Sequence, residues 1–362
     1  MSLKLSYFSL ALFIIQPFSW ISSFYFLNLS FLILPFLHLF IKGKLRYLDK
    51  SVSLSILVIF SGSFLFSNTF ADFYLIISKI LTCTVVGLIG YHFGLNKGFF
   101  KYFLLSIVIF LLSDSLFRYF CFKPDFFDLL VGSIAYKREC TMPFTDSNAS
   151  GIALIQLLAI LHLFFVYKNI TFLKWIVSWL FIICLLLLTA SKAAIIVGIM
   201  LYPLLVIYEK IIKKPHTRVF FLFFLLSVSA TSIISLTELD ESFDTKILFL
   251  FSFVETLINN PLSILFGHGY VSGMSILAGD QEFAHIMPAL LLGSIGIIGS
   301  IFYYYLMWGC YVRYSASFTP IVMIFLLSLS YFPPFFEYFI FLAFLYMGVA
   351  FRFNNLVSKH ER

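Results

Sequence analysis

The sequence predicts an all-α integral membrane protein, a polytopic bundle of about twelve transmembrane helices, and two observations predict it. The chain is 61% hydrophobic, 20% aromatic and only 11% charged, against about 25% charged residues in an ordinary soluble domain. Apolar runs of roughly 18 or more residues, enough to cross a bilayer, recur along its 362 residues. These runs are continuous, whereas a membrane β-barrel reads as short alternating segments. One bundle therefore accounts for residues 1–362.

The runs fall at 5–23, 24–41, 51–68, 73–91, 102–118, 149–167, 172–190, 191–208, 218–236, 285–308, 318–333 and 335–351. The apolar stretch from Leu5 to Ile41 is too long for a signal-peptide core and has no clear small-residue cleavage site, so no cleaved leader is expected. Pro17, Pro333 and Pro334 sit near run ends or turns, where a missing backbone donor is tolerated. Five cysteines carry no CxxC or Cys/His metal spacing. Cys121 and Cys140 share one predicted loop, and whether they pair stays open.

Charge orients the bundle. With the N-terminus cytoplasmic, seventeen of the 24 Lys and Arg residues fall on the inside and six on the outside, with Lys79 within a span. The positive-inside rule then places both termini in the cytoplasm. Most acids go outward, and the net charge of +7 is explained by anchoring to anionic headgroups. No basic face with interleaved aromatics marks a nucleic-acid partner. Two long loops, 119–148 and 237–284, land on the external side. Loops held by a rigid scaffold are where chemistry tends to sit.

Four polar constellations lie at that side. Arg118, with Lys137 and Arg138, belongs to the first loop, which runs through Asp146-Ser147-Asn148 into a helix. Asp146, Ser147 and Asn148 also read simply as N-caps, whereas the guanidinium forks suit phosphate. Ser191-Lys192 sits between two spans with almost no loop, where a lysine either snorkels to headgroups or holds a charge at a cavity rim. Asn260-Pro261-Leu262 and Leu265-Phe266-Gly267-His268-Gly269 form the third, with glycines flanking His268. The fourth is His285, with Gly296 and Gly299 on the same span. Such glycine pairs usually mean close packing, and an imidazole can exchange a proton near neutral pH.

Taken in chain order, these motifs resemble the bacterial O-antigen polymerase/O-antigen ligase superfamily over roughly residues 138–305. Lys192 stands where that family commonly has arginine, and Ile286 where it has Asn or Ser. The resemblance implies a metal-independent glycosyltransferase of the bacterial inner membrane, with no cofactor and an active site facing the periplasm. It implies a polyprenyl (undecaprenyl) diphosphate-linked glycan as donor. Arg118, Arg138, Lys192 and Lys246 are the external cations suited to the diphosphate. His285 is the first choice of general base and His268 the second. Asp146, Asn148, Asp280 and Glu282 are candidates for sugar hydroxyls. Partners implied are undecaprenyl-diphosphate-linked oligosaccharides, membrane lipids, and a chain-length regulator and a flippase of the same pathway.

Polymerase and ligase share the donor site and differ in acceptor, the next lipid-linked repeat unit or lipid A–core. The loose motifs favour a polymerase, which reads varied repeat units. A polysaccharide or lipid-linked sugar transporter is the alternative of another class. Twelve spans with both ends inside suit it, but no internal repeat is evident and Lys79 is the one clearly mid-span charge.

Overall fold

A computed structural model describes residues 3–15, 25–43, 70–122, 147–167, 169–189, 191–211, 255, 258–259, 261–269, 286–313, 317–329 and 335–360. Every regular element among them is a helix. Six are long and apolar enough to cross a membrane: Tyr74–Gly94, Asn148–Val166, Phe172–Thr189, Lys192–Glu209, Met287–Arg313 and Glu337–Leu356. At a 1.5 Å rise per residue, the shortest of these reaches roughly 27 Å, close to the hydrocarbon thickness of a bilayer. The chain is a helical membrane protein. The predicted spans 51–68 and 218–236 lie outside the described residues. The run predicted at 318–333 contains a described helix of ten residues, Thr319–Ser328, closed by a tighter turn from the Leu329 N–H to the Leu326 carbonyl at 3.3 Å.

Two helices form the centre. Ser147–Val166 and Glu337–His360 are 78% buried over their apolar windows, against 33% for Phe172–Thr189. Exposed Leu173, Val177, Leu180 and Phe181 give the last of these the apolar outer face that lipid accepts. Helix 147–166 packs against helices 172–189, 319–328 and 337–360. Helix Leu3–Ile15 lies against Phe99–Phe122, with Tyr7 stacked on Tyr102 (centroids 5.3 Å apart) and edge-on to Phe93 at 5.6 Å.

Helices Phe70–Gly94 and 337–360 make the most intimate pair, and glycines explain it. A methyl at Gly90 would stand 2.5 Å from the Phe341 carbonyl oxygen, one at Gly94 2.5 Å from that of Leu345, and one at Gly348 2.2 Å from that of Tyr91. Without a hydrophobic force between helices in lipid, backbone approach of this kind is the main source of attraction. An ion pair closes one end of the seam: Lys79 Nζ lies 2.8 Å from Glu337 Oε1, with the Glu337 side chain only 4% exposed. The one mid-span charge read from the sequence thus has its counter-charge in the first turn of another helix.

Candidate functional site

The segment carrying His268 is held by a break in a neighbouring helix. Helix Met287–Trp308 is interrupted at Gly296 (φ 66°, ψ −174°), a backbone conformation open to glycine. In an unbroken helix the carbonyls of Gly293 and Ser294 accept from residues 297 and 298. Here the His268 N–H donates to the Gly293 carbonyl at 2.7 Å and the Gly269 N–H to that of Ser294 at 3.2 Å. The short helix Pro261–Phe266 lies in direct backbone contact with the break: a Cβ on Gly296 would fall 2.4 Å from the Leu265 carbonyl. Gly267 (φ 83°) is as tightly placed, 2.5 Å from the Ser294 carbonyl by the same measure. Read from sequence, Gly296 is a helix-packing residue; the structure uses it to unwind a helix and receive a loop.

His268 is consequently buried, 7% exposed. Burial, which disfavours the charged imidazolium, holds its pKa below the ordinary histidine value. A neutral imidazole near pH 7 can accept a proton.

A second junction lies where three helix ends meet. Asn148, in the first turn of helix 147–166, accepts a hydrogen bond from Ser191 Oγ at 2.9 Å. Ser191 precedes helix Lys192–Ile196 as its N-cap residue yet makes no side-chain cap bond, an interaction worth typically ~1 kcal/mol. Its backbone N–H instead donates to Thr189 Oγ1 at 3.3 Å, at the end of helix 172–189. Gly151 permits the crossing, since a Cβ there would meet Ala194 Cβ at 2.7 Å and Ser191 at 3.0 Å. Lys192 opens the helix on an exposed position.

A polar cluster unmarked by the sequence motifs lies elsewhere in the bundle. His162 Nε2 is 2.8 Å from Ser317 Oγ and 3.4 Å from Glu209 Oε2; its Nδ1 is 3.3 Å from Tyr202 Oη, which accepts from Trp175 Nε1 at 2.8 Å. Glu209 also accepts from the Phe318 and Thr319 N–H groups at 2.6 and 2.9 Å, capping helix 319–328, whose own N-cap residue Phe318 has no side-chain acceptor. A histidine, His162, inside an apolar run was the available signal. The cluster's bonds to a helix start give it a plain architectural use.

Of the residues singled out by sequence, the structure brings Asn148 to Ser191-Lys192 and places His268 against the Gly293–Gly296 stretch. Arg118 and Cys121 lie in helix 99–122, which extends past the predicted loop start. His285, Arg138, Lys246, Asp146, Asp280, Glu282 and Cys140 fall outside the described residues. Among the described residues no three His, Cys, Asp or Glu side chains group as a metal would require. No family model matches the chain, and no curated protein or solved structure matches it.

Proposed function

We propose that this protein is an O-antigen-type polymerase, which transfers a growing undecaprenyl-diphosphate-linked glycan onto the next lipid-linked repeat unit at the periplasmic face of a bacterial inner membrane. The observation that carries the reading is the docking of Leu265-Phe266-Gly267-His268-Gly269 onto the Gly293–Gly296 break. Two motifs separate in sequence meet there around a buried histidine. The Asn148–Ser191 bond, which joins two further motifs of the same resemblance, supports it as well.

In the proposed reaction an acceptor sugar hydroxyl attacks the anomeric carbon of the donor. The bond from that carbon to the diphosphate oxygen breaks, and the polyprenyl diphosphate leaves with the electron pair. A histidine takes the hydroxyl proton: His285 as first choice by the resemblance, or His268 as second. Lys192, with Arg118, Arg138 and Lys246, would offset charge developing on the leaving diphosphate, an electrostatic contribution that is usually the largest single one.

The test is extension of undecaprenyl-diphosphate-linked repeat units by the full chain in proteoliposomes. His268→Ala and His285→Ala are assayed beside wild type, with lipid A–core supplied in parallel as competing acceptor. Loss of the base at the reacting position lowers turnover on the order of 10²–10⁴-fold. Transfer to lipid A–core alone identifies a ligase. Broken membrane helices also occur at transporter binding sites, so the Gly296 break favours a transport reading too. Movement of lipid-linked sugar across the vesicle without new glycosidic bonds would establish that alternative.

A further inference from the structure

We infer that Asn148 is a positioning residue: through its hydrogen bond to Ser191 it fixes the helix start that carries Lys192, and so aims that ammonium at the diphosphate. The inference rests on the diphosphate role proposed above for Lys192. It gives Asn148 a role through Lys192, distinct from the sugar contact for which the resemblance makes it a candidate.

Three observations converge on it. Serine is among the best N-cap residues, yet Ser191 gives its hydroxyl to Asn148 Oδ1 on another helix and leaves its own helix without a side-chain cap. Ser191 is held on every side: its N–H by Thr189 Oγ1, its carbonyl by the Ile195 N–H at 2.9 Å, its hydroxyl by Asn148. Gly151, one turn beyond Asn148, removes the side chain that would push the two helices apart at Ser191 and Ala194. Ser191 is 2% exposed while the next residue, Lys192, is exposed, so the tie is buried and the charge it carries reaches the surface. A local preference is given up for a bond whose effect is to fix the origin of the Lys192 side chain. The Asn148 oxygen is engaged by that bond.

The experiment is a double-mutant cycle on the full chain in nanodiscs, with two readouts: repeat-unit extension, and binding of farnesyl diphosphate as a soluble diphosphate probe. Asn148→Ala and Ser191→Ala are each expected to weaken the probe and lower kcat on the order of tenfold, because displacing a charged group by about 1 Å can cost up to 100-fold. Combined, they are expected to lose no more than either alone, since both remove one bond. In the Lys192→Ala background Asn148→Ala is expected to change neither readout further. An additional loss in that background means Asn148 touches substrate itself and overturns the inference. Coupled losses in probe binding without any repeat-unit extension by wild type leave the positioning role standing and remove the polymerase reading. A wild type that neither binds the probe nor extends the glycan overturns both. Thermal melting of each variant in detergent separates misfolding from misplacement.

Discussion

The glycine seam between helices 70–94 and 337–360 makes the sharpest quantitative prediction. Alanine at Gly90, Gly94 or Gly348 puts a methyl 2.2–2.5 Å from a carbonyl oxygen of the facing backbone, where real Cβ atoms are not found inside 3.0 Å. Backbone cannot rotate aside as a side chain can, so the helices must separate by roughly 0.5–0.8 Å against close packing. Two effects compete. Alanine improves helix propensity by about 1 kcal/mol, while overpacking costs typically 1–3 kcal/mol. The separation also loses dispersion contacts along the seam, so each variant is expected to be less stable by about 1–2 kcal/mol. Gly87 is the internal control, for the atoms nearest its added methyl belong to the Phe344 side chain, at 3.1 Å, rather than to backbone; propensity and crowding nearly cancel there. Gly90 and Gly94 lie one turn apart on the same seam, so the double variant should cost less than the sum. Unfolding by SDS titration in mixed micelles measures all of these. A Gly348→Ala protein as stable as wild type, or Gly87→Ala as the worst of the set, would refute the reasoning.

Two further outcomes are expected. Lys79→Ala leaves the buried Glu337 carboxylate without its counter-charge and should destabilise by about 3–5 kcal/mol, whereas Lys79→Met with Glu337→Leu should recover most of the loss; equal damage in the single and double variants in the same titration contradicts this. The folded pKa of His268 is depressed, so its contribution to stability is complete above the ordinary histidine value of about 6.5 and declines as pH falls from there toward the folded value. Melting temperatures at pH 7.5, 6.5 and 5.5 should therefore fall more for wild type than for His268→Gln, and parallel curves would mean the imidazole is not buried in its neutral form.

Helix existence is legible in this sequence because a bilayer leaves backbone groups no partners but one another, so length and apolarity mark a span without any knowledge of neighbours. The near-absence of a loop between helix 172–189 and the span Lys192–Glu209, with Ser191 and Lys192 beside it, was readable on that ground. The tight turn around His268 could also be read, from its flanking glycines. Its docking onto Gly296 could not, since the value of that glycine lies in a positive φ that spacing does not encode. The Gly90–Gly94 interval carries a recognisable close-packing signal, but Gly348, which completes the seam, stands alone in a distant helix. Glu209 sits at the end of its own apolar run and looks like an ordinary interfacial acid. Only the fold reveals that it caps helix 319–328 and faces His162.

The Lys79–Glu337 pair has a consequence for biogenesis. Its members are separated by 258 positions along the chain, and at synthesis rates of roughly 5–20 residues per second Glu337 emerges on the order of 10–50 s after Lys79. Throughout that interval helix 70–94 carries a lysine whose counter-ion has not been made, and a glycine face whose mate does not yet exist. Until helix 337–360 arrives, the Lys79 ammonium has the headgroup region within reach of its flexible stem. Closure of the seam cannot precede synthesis of helix 337–360, which makes it a late event in assembly.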